Sequence, residues 1–394
     1  DVHQLVQEYF AGRELARVPD PQRVNAPWKS ADMIPPLEEL IETLPPGEQL
    51  PPLETTGWEE TAILGAAMTA DPDAYVQDLL ATNVVVAGRA AGQVEVRGRL
   101  EERTLSAVRQ ALEERSTDGE ADLRSRIEAG LALGVLGDPR FEEREGPHGR
   151  YLLPPLVAIP GGRYPMGEDE VFEYLGHRIE SHMPRHEVEV AAFRIGKYPV
   201  TNGEWRYFLK SGGYEEERWW DTDGARQWRS GEGTAAGTHA NVRYWLEKVR
   251  ADPGKLEETW KTGQMPEESY DRWKKRLGMG EGELTAHLRE QYPGGKLREP
   301  AFWHDERFNN PLQPVVGVSW YEARAYTGWL SAQLGEEVRL PMEPEWEAAA
   351  RGREGRRYAW GEEFEVLRGT TAATKVGRTT PVGVFVEGET PEGV

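Results

Sequence analysis

Apolar positions in VHQLVQEYFAGRELA recur at roughly helical intervals, bringing Leu5, Tyr9, Phe10 and Leu15 onto one stripe. The spacing predicts a helix ending near Pro19 and Pro21, and its opening without a cap or turn reads as the tail of a larger unit. A proline-rich linker follows, in which Pro35, Pro36, Pro45, Pro46, Pro51 and Pro52 clip short helix candidates. Beyond Trp58 the texture becomes one of repeated short helices: TGWEETAILGAAMTADP, AYVQDLLATNVVVAGRAAGQV, RTLSAVRQALEERS and ADLRSRIEAGLALGVLGDP. Each carries an apolar stripe that it cannot bury alone, so neighbours must stack, either as HEAT-like repeats or as an ordinary bundle.

Near Tyr151 the period changes. LLPPLVAIPGGRYPMG alternates with glycine punctuation, and HEVEVAAFRIGKYPV reads as a strand pair. VTNGEWRYFLKSGGY then starts a helix capped by Thr201 or Asn202. PVVGVSWYEARAYTGWLSAQLG reads as a short apolar strand feeding a helix that groups Ala323, Tyr326 and Leu330 on one face. Between them, residues 219–303 are rich in tryptophan and charge and read as an insertion. The expected organisation is multidomain: a helical remnant and linker over 1–50, an all-α region over 51–145, and an α+β domain over 150–394 with much irregular backbone.

Composition narrows the function. The 394 residues include 14 Trp, 14 Tyr and 9 Phe, an aromatic supply suited to folded domains. With 68 carboxylates against 47 basic residues the net charge is −21, which disfavours a nucleic-acid partner because phosphate binding rests on clustered cations. No run approaches the roughly 18 apolar residues of a membrane span, and the first residues do not form a signal peptide, so a cytoplasmic location is expected. There is no cysteine, which removes every thiol nucleophile and thiolate ligand.

Four phrases in order, GGRYPMG (161–167), HEVEVAAFRIGKYPVTNGEWRYF (186–208), PVVGVSWYEARAYTGWL (314–330) and RLPMEPEWEAAARG (339–352), resemble the sulfatase-modifying, formylglycine-generating enzyme domain. The resemblance implies a variant of the C-type lectin fold. Members that oxidise a substrate cysteine use a cysteine pair and copper. Here Thr327 stands where related helices often read AYCxWL. The family's GNVWEW, RGGSW and GFR stretches would come after Val394, and the resemblance places possible Ca²⁺-binding groups there. HQLVQEYFAGRELA and GLALGVLGDPRF resemble the C-terminal helical part of NACHT and other STAND-type NTPases, although no phosphate-binding G-x-x-x-x-G-K-[ST] loop is present.

His177, His182 and His186, with Glu180 and Glu187, are close enough in sequence to suggest a metal cluster, but spacing alone does not fix ligands and the favoured reading is a loop of surface histidines near the domain's entry strand. They lack the more regular histidine and glutamate arrangement of the iron-dependent sulfoxide synthases that share the fold. Glu343, Glu345 and Glu347 raise an acid–base possibility. The structural alternative puts Glu343 and Glu345 in the first helical turn, pairs one with Arg339, and turns Trp346 and Ala349 into the core. Trp320 and Asn202 are expected to be structural as well. Trp219, Trp220, Trp228 and Trp303 offer a ligand-binding surface or, with Trp245, Trp260 and Trp273, the private core of the insertion. The leading expectation is a non-catalytic binding or sensor module for a protein or peptide ligand, within a STAND NTPase-like protein. A thiol-free, metal-dependent oxidoreductase and the variable protein of a diversity-generating retroelement are the alternatives.

Overall fold

The computed structural model describes residues 2–45, 47–174 and 177–394, with side chains described for all of these except 2–5, 172–174 and 177. Pro46 therefore lies outside the described residues. Helix α1 (Val2–Arg17) is followed by the short α2 (Leu37–Thr43), then α3 (Glu59–Met68), α4 (Pro72–Leu80), α5 (Val84–Gly92), α6 (Val94–Arg97), α7 (Glu102–Ser116) and α8 (Leu123–Leu136). The starts follow from local chemistry. Asp71 accepts from Ala74 N at 3.0 Å with Pro72 at the first helical position, and Asn83 accepts from Val86 N at 3.2 Å, splitting the predicted second helix into α4 and α5.

The helical core is built from small residues as much as large ones. Ala87, Ala90, Ala91 and Ala129 are buried among Val108, Leu112 and Leu133. A methyl added at Gly88 would lie 2.7 Å from the Leu112 side chain, so α5 and α7 pack through the bare backbone there. The predicted stripe of α1 needs correction. Leu15 is buried, but Tyr9 and Phe10 face outward because α1 rests on α3 through Gly12, close to Leu64; the side chain of Leu5 lies outside the described residues.

The α+β part opens with a hairpin of β1 (Glu142–Gly146) and β2 (Gly149–Leu153). Strands β3 (Leu156–Ile159), β4 (Gly162–Met166), β5 (Phe172–Tyr174), β6 (His177–Ile179), β7 (His186–Val190) and β8 (Phe193–Gly196) follow. The predicted strands 186–196 exist but do not pair with each other. Instead β3 pairs antiparallel with β8 and β4 with β7, because both chains turn a corner together at Gly161 and Ala191–Ala192, where an added Cβ on Gly161 would lie 2.8 Å from Ala192 N. The strand expected at Pro314–Val318 reduces to one bridge, Thr201 to Pro314.

Helices α9 (Asn202–Lys210), α10 (Asp223–Ser230), α11 (Ala236–Ala251), α12 (Pro253–Lys261), α13 (Glu267–Leu277), α14 (Glu281–Gln291), α15 (Trp320–Leu334) and α16 (Glu343–Arg351) complete the regular elements. Trp205 and Phe208 of α9 meet Tyr326 and Trp329 of α15 in an aromatic core, with the Trp205 and Tyr326 rings stacked at 5.0 Å. The last stretch of chain turns back onto the helical region. Val384 joins Leu37, Ile41, Leu123 and Ile127 in one buried cluster, and Arg126 donates to Val384 O at 2.8 Å. Among the described residues no helix is long and apolar enough to cross a membrane.

The insertion is smaller than the tryptophan pattern suggests. Its own core is Val242, Leu246, Met279, Leu284 and Leu288, with Trp273 packed against it, while Trp260 stacks on Tyr270 and Trp245 is largely exposed. Trp219 and Trp220 belong to the aromatic core of the parent domain instead. The two ends of the helical excursion touch: Leu297 N donates to Arg229 O at 3.1 Å and Gly295 N to Thr234 Oγ1 at 3.1 Å. Removing 233–294 should therefore leave cooperative unfolding of the rest intact in circular dichroism melts. Removing 219–298 should abolish it, because that cut takes Trp219 and Trp220 out of the core.

Candidate binding surface

Three helices of the α+β domain, α9, α15 and α16, begin the same way. Thr201 N and Thr201 Oγ1 donate to Glu204 Oε2 at 2.7 and 2.8 Å, and Thr201 Oγ1 accepts from Glu204 N, so Thr201 is the cap. Asn202, the other cap candidate, is buried and shares its side-chain amide among Phe308 O, Asn310 O and Gln313 O at 2.7–3.1 Å, tying that loop to the helix start. At α15, Ser319 N donates to Glu322 Oε2 at 2.7 Å, while Tyr214 Oη donates to Glu322 Oε1 at 2.6 Å. At α16, Met342 N donates to Glu345 Oε2 at 2.8 Å, and Arg339 clamps both carboxylate oxygens at 2.7 Å.

Burial makes these carboxylates unequal. Glu204 is sealed in the core, which pushes its carboxyl up to about 7 against the pull of the Thr201 donors. Its Oε1 and the buried hydroxyl of Tyr326 have no partner other than each other, and the interaction with Tyr326 pulls the carboxyl down alongside the Thr201 donors. Hydrogen bonding from Arg339 holds Glu345 below the usual carboxylate range.

With its core face committed, α15 presents the opposite side to solvent. Trp320 is 56% exposed, its ring edge-on to Tyr321 at 5.4 Å, and Tyr321 contacts Trp228 at 5.8 Å. The Arg324 guanidinium lies 5.3 Å from the Trp320 ring centroid and binds Asp221 through three contacts of 2.7, 2.9 and 3.2 Å. Three aromatic rings and an anchored arginine thus form a ledge that can offer flat apolar area with a charged edge.

The structure redistributes the residues singled out from sequence. Trp219 is 8% exposed and Trp220 fully buried, its indole N–H donating to Gly213 O at 3.0 Å, so neither presents a face to a ligand. Trp303 and Trp228 both pack partly buried against the aromatic core, and of the four only Trp228 also contacts Tyr321 at the ledge. Trp320 is a surface residue and not a structural one. Trp346 is 61% exposed: Glu345, Ala348 and Ala349 take the inward face of α16, and position 346 falls on the other side. Arg339 and Glu345 pair as the sequence suggests. His182 Nε2 contacts Glu170 O and His186 Nδ1 contacts Pro184 O, both at 2.9 Å, and among the described residues no group of three histidine, aspartate or glutamate side chains could hold a metal ion. The His177 side chain lies outside the described residues. Tyr321, Arg324 and Asp221 were missed; the four-residue spacing of Trp320 and Arg324 on a helix was the available clue.

A profile of the sulfatase-modifying factor enzyme 1-like domain matches residues 143–388. The chain belongs to this family. Its small sheet and irregular C-terminal half are consistent with a C-type lectin-like fold. It is similar to the hercynine oxygenases of Mycolicibacterium smegmatis (28% identity, 60% of this chain and 42% of the relative) and Mycobacterium tuberculosis (30%, 53% and 36%). It is also similar to the inactive C-alpha-formylglycine-generating enzyme 2 of Bos taurus (29%, 54% of each chain) and the formylglycine-generating enzyme of Streptomyces coelicolor (29%, 53% and 51%). The chain thus spans about a third to a half of the length of these curated relatives.

Two measurements check the site's scaffold. In denaturant melts Glu345→Ala should cost about 1–3 kcal/mol, through a lost cap and an unpaired Arg339, whereas Trp346→Ala should cost less than about 0.5 kcal/mol. For Glu204, the folded chain holds the proton more tightly than the unfolded chain does. Its contribution is therefore complete below the ordinary value of 4.5 and is lost as pH rises through about 7. Glu204→Gln should flatten that decline when unfolding midpoints are compared from pH 4 to 8.

Proposed function

We propose that the chain is a non-catalytic recognition module whose ledge of Trp320, Tyr321 and Trp228 takes a protein or peptide ligand. The carrying observation is this aromatic row, in which Trp320 is exposed and Tyr321 and Trp228 stand half-buried beside it, with Arg324 paired to Asp221 at its edge. Flat rings and a preorganised guanidinium contribute contact area at little loss of side-chain freedom, which is the make-up of protein-binding hot spots. The 394 residues contain no cysteine, so none of them can supply the thiolates that the resemblance implies for oxidation of a substrate cysteine. The helical region is the arm that carries the module, in a STAND NTPase-like protein of the cytoplasm.

The second reading is a metal-dependent oxidoreductase, favoured by the likeness to two hercynine oxygenases. The two readings part in one set of assays. Peptides selected on the intact protein from a displayed random library should bind Trp320→Ala/Arg324→Ala at least about tenfold more weakly. A sulfatase-type peptide supplied with copper should keep its cysteine mass. Conversion of that cysteine, or consumption of hercynine by protein given iron(II) and dioxygen, would overturn the binding reading. Equal peptide affinity in the double variant would remove the ledge from it.

A further inference from the structure

Between the helical arm and the α+β domain lies a cleft of about 510 Å³, none of whose lining residues belongs to the ledge. One wall is the end of α8 with Arg97 and Arg109; the other is α9 with Arg206, Tyr207 and Lys210. Four cations on one cavity are unexpected in a chain with a net charge of −21.

The anionic side chains of the cleft do not balance them. Asp138 is fully engaged by Arg140, with its carboxylate 1% exposed and the closest contact at 2.5 Å. Glu143 accepts from Arg150 at 2.9 Å and from the Tyr207 hydroxyl at 2.5 Å. Arg97 is held by carbonyls and not by a carboxylate, donating to Val135 O at 3.0 Å and Leu136 O at 3.1 Å. Arg109 donates to Leu136 O at 3.2 Å and meets only the solvent-exposed Glu102. Carbonyl bonds orient a guanidinium without cancelling its charge. Arg206 and Lys210, one helical turn apart on α9, have no ion-pair partner among the described residues. Behind the cations the lining is apolar: Phe141, Leu152, Pro311 and Leu312.

From this arrangement we infer that the cleft binds a small organic phosphate, its phosphoryl group among Arg206, Lys210 and the two fixed arginines and its apolar or aromatic body against Phe141 and Leu152. The volume suits a ligand of that size, and cations fixed before binding suit phosphate recognition. Because both walls are needed, the ligand would be read by the arm and the domain together. This inference does not depend on what the aromatic ledge binds.

Phenyl phosphate tests it, with inorganic phosphate and phenol as its two halves, each titrated calorimetrically into the whole chain. Phenyl phosphate should bind, and more tightly than either half. Arg206→Glu/Lys210→Glu should weaken it by roughly tenfold or more, while an unchanged thermal unfolding curve shows the variant folded. An Ile34→Glu control, on an exposed residue outside the cleft lining, should leave binding unchanged. No heat from phenyl phosphate at about 10 mM, or equal affinity in the double variant, would overturn the site. Equal affinity for inorganic phosphate would overturn the apolar subsite.

Discussion

Three helices of the α+β domain depend on a glutamate that folds back onto the chain entering the helix. Glu204, Glu322 and Glu345 each occupy the third helical position and each accept from the backbone N–H of the residue before the helix. A domain with little regular sheet has few other ways of fixing where a helix begins. Each carboxylate also reaches beyond its own helix: Glu322 receives Tyr214, Glu345 receives Arg339, and Glu204 lies against Tyr326. The aromatic core is therefore placed by polar contacts at its margins, and the ledge is the reverse side of the same α15.

Much of this was legible in the sequence because caps are local. Threonine or serine followed three residues later by glutamate marks the starts of α9 and α15 wherever the rest of the chain goes. Helical periodicity likewise predicts the arm, and four phrases in order predict the domain. Strand pairing was not legible, since HEVEVAAFRIGKYPV has the alternation of a hairpin and only the corner at Gly161 and Ala191–Ala192 sends its halves to different partners. Burial of individual tryptophans was harder still. Trp219 and Trp220 lie in a charged, insertion-like stretch yet enter the parent core, whereas Trp346 follows a buried glutamate and faces water. Type and spacing say that an indole packs somewhere, but which face it takes is settled by contacts distant in sequence.

The same distinction applies to function. Cysteine content can be read by counting, but a ledge made of Trp228 from one helix and Trp320, Tyr321 and Arg324 from another requires the fold. So does the cleft, whose walls are separated by about seventy residues or more of chain. An overall negative charge conceals a local excess of cations, because composition averages over surfaces that a ligand meets one at a time.

The return of the final stretch onto the arm has a consequence for the order of events during synthesis. Arg126 and Val384 are 258 residues apart, and the cluster around Leu123 and Ile127 is incomplete until the second of them arrives. At ribosomal rates of about 5–20 residues per second, that is a wait on the order of ten to fifty seconds, with apolar side chains of α2 and α8 uncovered. The small-residue core around Leu112 and Leu133 can close meanwhile, using contacts within the arm. The arm would then emerge as a half-finished unit, held in shape by its first core and dependent on a later-made neighbour for the second, which makes this interval the natural point for a chaperone to intervene.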